Sequence, residues 1–318
     1  MGAYLSRLLC KMYKESHRLK YLLRTLFFSV MIISTYSIRI TSAEKIELQY
    51  IIIGADKDTI DNFKKFTEIT PIKKITTFNN PYTGYRAVVE LVLIHQAIKL
   101  GGLETEIILK EMPNYARSVL QASHGKLDMP SETLWGLDID ETLFYKTDPI
   151  IWKYEQEMGI FVLPELNDTY KVNSLKDLQN LSAVVQKTWI MDVATLKDMK
   201  ISRIEYPSTI NSMYKMVEAK RVNFLLWTFS SMEDMGQTFN DTHLTPLPNI
   251  KVGIGGSRHF VVSKKAKNGK KIFAALQEGI GILRENGAIV RALEQSGSFN
   301  TRVKNWKRVY PEKLEGSN

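Results

Sequence analysis

The reading of "LWGLDIDETLF", residues 134–144, decides the fold. Asp138 and Asp140 stand two apart and Thr142 follows. At the end of a buried strand such a pair serves phosphoryl transfer, one carboxylate attacking phosphorus and the other moving a proton. Elsewhere it is a loop, and the flanking sequence has to choose.

Upstream, "IELQYIIIG" is a continuous, β-branched pattern ending at Gly54, as in a buried strand. "NNPYTGYR" holds Asn-Pro and Thr-Gly pairs and marks a loop. "YRAVVELVLIHQAIKLGG", residues 85–102, is apolar nearly all round, which predicts a helix packed deep against a sheet and stopped by Gly101-Gly102. "LETEIILKEM" reads as a strand, "NYARSVLQASHGK" as a helix capped by Asn114 and stopped at Gly125, and "LDM" as a short strand. This β-α-β-α-β order predicts a mainly parallel sheet with right-handed crossovers.

Downstream, the plan restarts after "GIFVLP". Ser174 and Asp177 resemble a capping box for "SLKDLQNL", and strands "SAVVQ", "ISRIEY" and "RVNFLLWTF" alternate with helices "DVATLKDM" and "TINSMYKMVEAK". "SRHFVVSKK" is a further strand, followed by a helical pair broken at Asn286-Gly287. Two α/β units, one interrupting the other, imply two lobes joined by two crossing strands, each lobe a mainly parallel sheet flanked by helices. The cleft between them is the expected binding site. The expected boundaries are a targeting segment over 1–43, a first lobe over 44–158 and 253–318, and a second lobe over 159–252.

Charge and cysteine narrow the function. "ESHRLKYLLRT" is basic, "LFFSVMIISTYSI" (residues 26–38) is apolar but short for a membrane span, and "TSA" precedes Glu44. These three parts predict a cleavable export signal, cut near Ala43, and a periplasmic protein. Residues 1–43 carry seven of the 43 Lys and Arg but one of the 34 acids, so the net charge of +9 falls to +3 beyond them. A nucleic-acid partner loses its main support. The single cysteine, Cys10, lies in the same segment, and a cysteine-free remainder suits an oxidising compartment.

The aspartate run lacks the other parts of a haloacid-dehalogenase-like phosphatase, which it resembles over this short stretch. That chemistry needs later acids at a strand end to hold Mg²⁺, and no aspartate follows Asp241. His95, His124, His243 and His259 show no metal-ligand spacing, and "GIGGS" lacks the lysine of a phosphate loop.

The succession "YRAVVELVLIHQAIKLGG", "YARSVLQASHGKLDM", "VNSLKDLQNLSAVV", "MYKMVEAKRVNF", "FVVSKK" and "LQEGIGILRENGAI" resembles the periplasmic solute-binding proteins of type II topology, in particular the family-3-like transporter substrate-binding domains. The resemblance spans about residues 46–306. It implies a monomer that closes over a small polar or aromatic solute for a membrane transporter permease or sensor, without a cofactor, a metal or a catalytic residue. It also places "LDIDETLFYKTDP" in a loop over the cleft. The arginine with which amino-acid-binding members clamp a carboxylate would fall near Asp140 and is absent, and "RVNFLLWTF" lacks their second-lobe aspartate. An α-amino acid is therefore not expected.

Candidate ligand contacts are Tyr85, Arg86, Arg117, Glu132, Trp135, Trp152, Trp227 and Arg258, all at predicted element ends or in loops. The arginines are candidate anion clamps and the tryptophans candidate stacking surfaces. The enzyme alternative is a dehydratase on the same fold, with Glu132 or Glu141 as proton donor, or a phosphatase using Asp138 and Asp140.

Overall fold

In the computed structural model, residues 50–313 are described. The expected export signal and its cleavage point lie outside them.

The first core forms where the sequence is apolar without interruption. Tyr50–Ala55 is the middle strand of a three-stranded parallel sheet, flanked by Glu106–Glu111 and Met129–Pro130. The helix Arg86–Leu100 lies against it and buries residues on all sides, from Val88 to Ile98. Its all-round apolar surface has a second partner, the helix Gly269–Glu285, whose Ile272, Leu276, Ile280 and Leu283 join the same core. Asn114 caps the helix Tyr115–Ser123 by accepting from the Arg117 N–H at 2.9 Å.

A second core gathers Ile160, Val162, Phe224, Leu226, Val252 and Ile254. Its six-stranded sheet is built around Glu157–Val162, which pairs antiparallel with Leu225–Trp227, Thr242–Pro246 and Ile250–Gly253. The parallel β-α-β order read from the sequence persists in Ser182–Val184 and Arg203–Glu205, with the helix Ile190–Asp198 between them. The antiparallel pairings come from strands entering and leaving between the lobes, where no helical crossover reverses the chain.

Each crossing runs as two strands joined by a short irregular link, Phe144–Ile151 to Glu157–Val162 and Ile250–Gly253 to Arg258–Ser263. In the first link Tyr154 adopts a left-handed φ of 68°, which no regular strand accommodates. The links hold each other, with the Tyr154 N–H donating to Ile254 O and the Ile254 N–H to Gln156 O, both at 2.8 Å. The C-terminal stretch does not belong wholly to the first lobe, because Lys307–Tyr310 pairs in parallel with Ile250–Gly253 in the second sheet. Lys251 ties this return, its buried Nζ donating to the carbonyls of Val303 and Lys304 and pairing with Glu157 at 2.8 Å.

Residues 134–144 resolve into a two-residue strand, Leu134–Trp135, and a 3-10 turn, Gly136–Asp138. Asp140 is exposed and closes a turn, its Oδ1 accepting from the Thr142 N–H at 2.8 Å and the Thr142 hydroxyl at 2.6 Å. These bonds stabilise the ionised form and hold its carboxyl below the usual range. Among the described residues no helix is long and apolar enough to cross a membrane.

Candidate functional site

A cleft of about 590 Å³ lies between the two cores. Arg86, Tyr115, Glu132, Trp135, Asp138 and Arg258 line it from the first lobe; Met158, Trp189, Asp192, Leu226, Trp227 and Thr228 line it from the second.

The first wall hangs on one carboxylate. Arg86 opens its helix and Glu90 follows one turn later on the same face, so the Arg86 Nε donates to Glu90 Oε1 at 2.9 Å. Glu90 is entirely buried. It also accepts from the Thr133 N–H at 2.9 Å and the Thr133 hydroxyl at 2.7 Å. Thr133 in turn accepts from Arg258, Nε to Oγ1 at 2.9 Å and Nη2 to the carbonyl at 2.8 Å. One buried acid thus orients two guanidinium groups, the first directly and the second through a threonine.

Arg258 and Trp135 are cross-strand partners in an antiparallel pair, which puts their side chains on one face. The guanidinium lies 4.4 Å from the Trp135 ring centroid. The chain can pass behind this stack because residue 256 is glycine: a Cβ there would lie 2.7 Å from Met191 Cε and 3.0 Å from Trp135 Cε3. Burial, with Arg86 nearby, brings the Arg258 guanidinium down to about 10, still cationic at neutral pH.

The acids facing the cleft shift the other way. Burial and then the nearby Glu90 raise Glu132, against Arg86, whose Nη2 lies 3.9 Å from Glu132 Oε2. Burial raises Asp138. Asp192, in the first turn of Ile190–Asp198, is 8% exposed, and its carboxylate makes no hydrogen bond to another described residue. Burial pushes it up to about 6 from an ordinary value of 3.8. Trp189 stands at the N-cap position of the same helix without a side-chain capping bond, and its ring centroid lies 5.1 Å from that of Trp227, which also meets Tyr214 edge-on at 5.8 Å.

The raised Asp192 sets a stability prediction. Between about pH 4 and pH 6 the folded chain binds a proton that the unfolded chain has lost, so stability falls as pH rises through that window. Asp192→Asn is therefore expected to stabilise the unliganded protein by about 2 kcal/mol at neutral pH, with the gain vanishing near pH 4. Urea titrations at the two pH values measure this; a gain independent of pH would refute the buried charge as its source.

Of the residues nominated from the sequence, the cleft brings together Arg86, Glu132, Trp135, Trp227 and Arg258. Three do not line it. Tyr85 is 63% exposed just ahead of the helix, at the N-cap position. Arg117 is exposed on the first turn of its own helix. Trp152 is 50% exposed at a crossing, with the Arg284 guanidinium 5.9 Å from its ring. All three sit at element ends, and two of those ends reach the cleft through a neighbour, Arg86 beside Tyr85 and Tyr115 two residues before Arg117. Asp192 was missed, although the rule that selected Arg86, a polar residue in the first turn of a helix, applies equally to "TWIMDVATLKDM". Among the described residues no group of three or more His, Cys, Asp or Glu could hold a metal ion.

No family model matches the chain, and no curated protein is matched. Solved structures that are similar include substrate-binding domain 2 of Lactococcus lactis GlnP in its open conformation, 13% identical over 81% of this chain and 97% of that one, with a TM-score of 0.48. The amino acid ABC transporter substrate-binding protein AbpA of Streptococcus pneumoniae, bound to L-arginine, is 16% identical over 65% and 83%, with a TM-score of 0.42. A mutant of the T. maritima protein ArgBP is 12% identical over 78% and 95%, with a TM-score of 0.41.

Proposed function

We propose that this is an exported, non-catalytic solute-binding protein whose two lobes close over a small polar or aromatic solute and deliver it to a membrane transporter or sensor. The observation that carries this reading is the cleft itself, walled by both lobes and backed by two short links that bond to each other. A solute touching both walls favours the closed arrangement by its extra contacts there, and that differential is what drives such a closure. A rigid first wall of Arg86, Arg258 and Trp135 facing Trp189, Asp192 and Trp227 suits recognition without chemistry.

A second reading, a dehydratase, keeps one supporting observation, the raised carboxyl of Glu132 in the cleft. The other acid considered for it, Glu141, is exposed and paired with Lys146.

Mass spectrometry of small molecules released from the purified, unheated protein tests the binding reading directly, and multiple turnover of any of them would favour the enzyme. A bound solute at a hundredfold excess over Kd should add about 2.7 kcal/mol of stability. Trp135→Ala and Trp227→Ala are each expected to weaken that binding about tenfold, near 1.4 kcal/mol. Titration calorimetry checks this; undiminished affinity in both variants would remove the cleft from consideration. The export part predicts a periplasmic, monomeric protein beginning at or near Glu44, which osmotic-shock fractionation and N-terminal sequencing decide.

A further inference from the structure

We infer that the solute of this cleft is an organic cation, set with its ammonium group against Asp192 and the faces of Trp189 and Trp227. The inference rests on the binding reading above and adds the chemical class of the ligand.

Three observations carry it. The first is Asp192, more than nine-tenths buried, lining the cleft and without a hydrogen bond to another described residue. A buried carboxylate that accepts only from its own backbone N–H is costly unless something else supplies a further donor, and here the open side is the cleft. The second is the aromatic surround. Trp189 stands three residues before Asp192, on the same side of the helix start, and Trp227 packs beside it from the neighbouring strand. Indole faces attract cations, most strongly where water is excluded.

The third is the balance of charge. The acidic and basic side chains lining the cleft are Glu132, Asp138 and Asp192 against Arg86 and Arg258, with Tyr115 neutral beside them. Both arginines are already engaged, Arg86 by Glu90 and Arg258 by Thr133 and Trp135. Counting Glu90, four carboxyl groups face two guanidinium groups. Closing the lobes removes water from this excess of acid, and an incoming positive charge offsets the cost where an anion would add to it. Arg86 and Arg258 are structural cations of the first wall, held before any ligand arrives, rather than a clamp awaiting a carboxylate.

The test uses the mature protein with choline and 1,5-diaminopentane as cation probes, L-leucine as a zwitterion and benzoate as an anion, each followed by thermal shift and titration calorimetry. At least one cation is expected to bind saturably and more tightly than the zwitterion or the anion. Asp192→Asn, which keeps the shape and is expected to fold more stably, should weaken that cation at least tenfold, and Asp138→Asn should weaken it less. Tighter binding of leucine or benzoate, or no binding of either cation, overturns the ligand class. Cation binding unaffected by Asp192→Asn overturns the assignment of the group that holds it. The binding reading fails separately, when no probe binds and no small molecule is released from the native protein.

Discussion

Replacing Glu90 by alanine is expected to destabilise the protein by about 3–5 kcal/mol, the range for stripping a buried charge of its partner. The side chain is fully buried and accepts from the Arg86 guanidinium, the Thr133 N–H and the Thr133 hydroxyl. Alanine would leave the Thr133 N–H unsatisfied in the interior, Arg86 without its nearer carboxylate, and the hydroxyl that holds Arg258 free to turn. Glu90→Gln keeps the shape and one acceptor oxygen and should cost less. Chemical denaturation followed by tryptophan fluorescence measures both, since Trp135 lies against Arg258. A loss below about 1 kcal/mol for Glu90→Ala would mean that the network is not held by this acid.

Gly279→Ala is expected to cost about 3 kcal/mol, at the upper end for overpacking a core. A Cβ at Gly279 would stand 1.9 Å from the Ala97 carbonyl oxygen, and one at Gly101 equally close to that of Ala275. The obstacle in each case is backbone, so the two helices would have to separate. Gly281, two residues on in the same helix, has nothing within 4 Å of its would-be Cβ. There the ordinary helix preference rules, and Gly281→Ala should stabilise by about 0.5–1 kcal/mol. Opposite signs at the two positions, read from thermal and urea unfolding, are the expected result; equal effects would show that the helices do not touch at Gly279.

Much of the fold was legible in the sequence because its signals are local. The unbroken apolar run after Tyr85 marks a helix covered on two sides, and the structure supplies both covers. Asn114 and Ser174 cap helices as their spacing suggests, each accepting from the N–H three residues on. The crossings were less legible. Nothing local in "WKYEQ" announces the left-handed turn at Tyr154. The placement of Lys307–Tyr310 depends on Lys251 and on a strand more than fifty residues earlier.

For the site, the sequence by itself determined which residue types were available and that they would lie at element ends: the arginines at 86 and 258, the tryptophans at 135 and 227, the acid at 132. It also showed that no aspartate follows Asp241, where a phosphatase built on Asp138 and Asp140 would need later acids at a strand end. Only the tertiary structure decided which ends point the same way. Arg86 and its neighbour Tyr85 are adjacent in sequence, but the helix turns one toward Glu90 and leaves the other in solvent. Arg258 reaches Glu90 through Thr133, across 125 residues of chain, and Asp192 meets the first wall across the cleft. Spacing along the chain sets the face of a single helix or strand, whereas the desolvation and the lone carboxylate of a cleft arise only when two separately folded lobes are brought opposite each other.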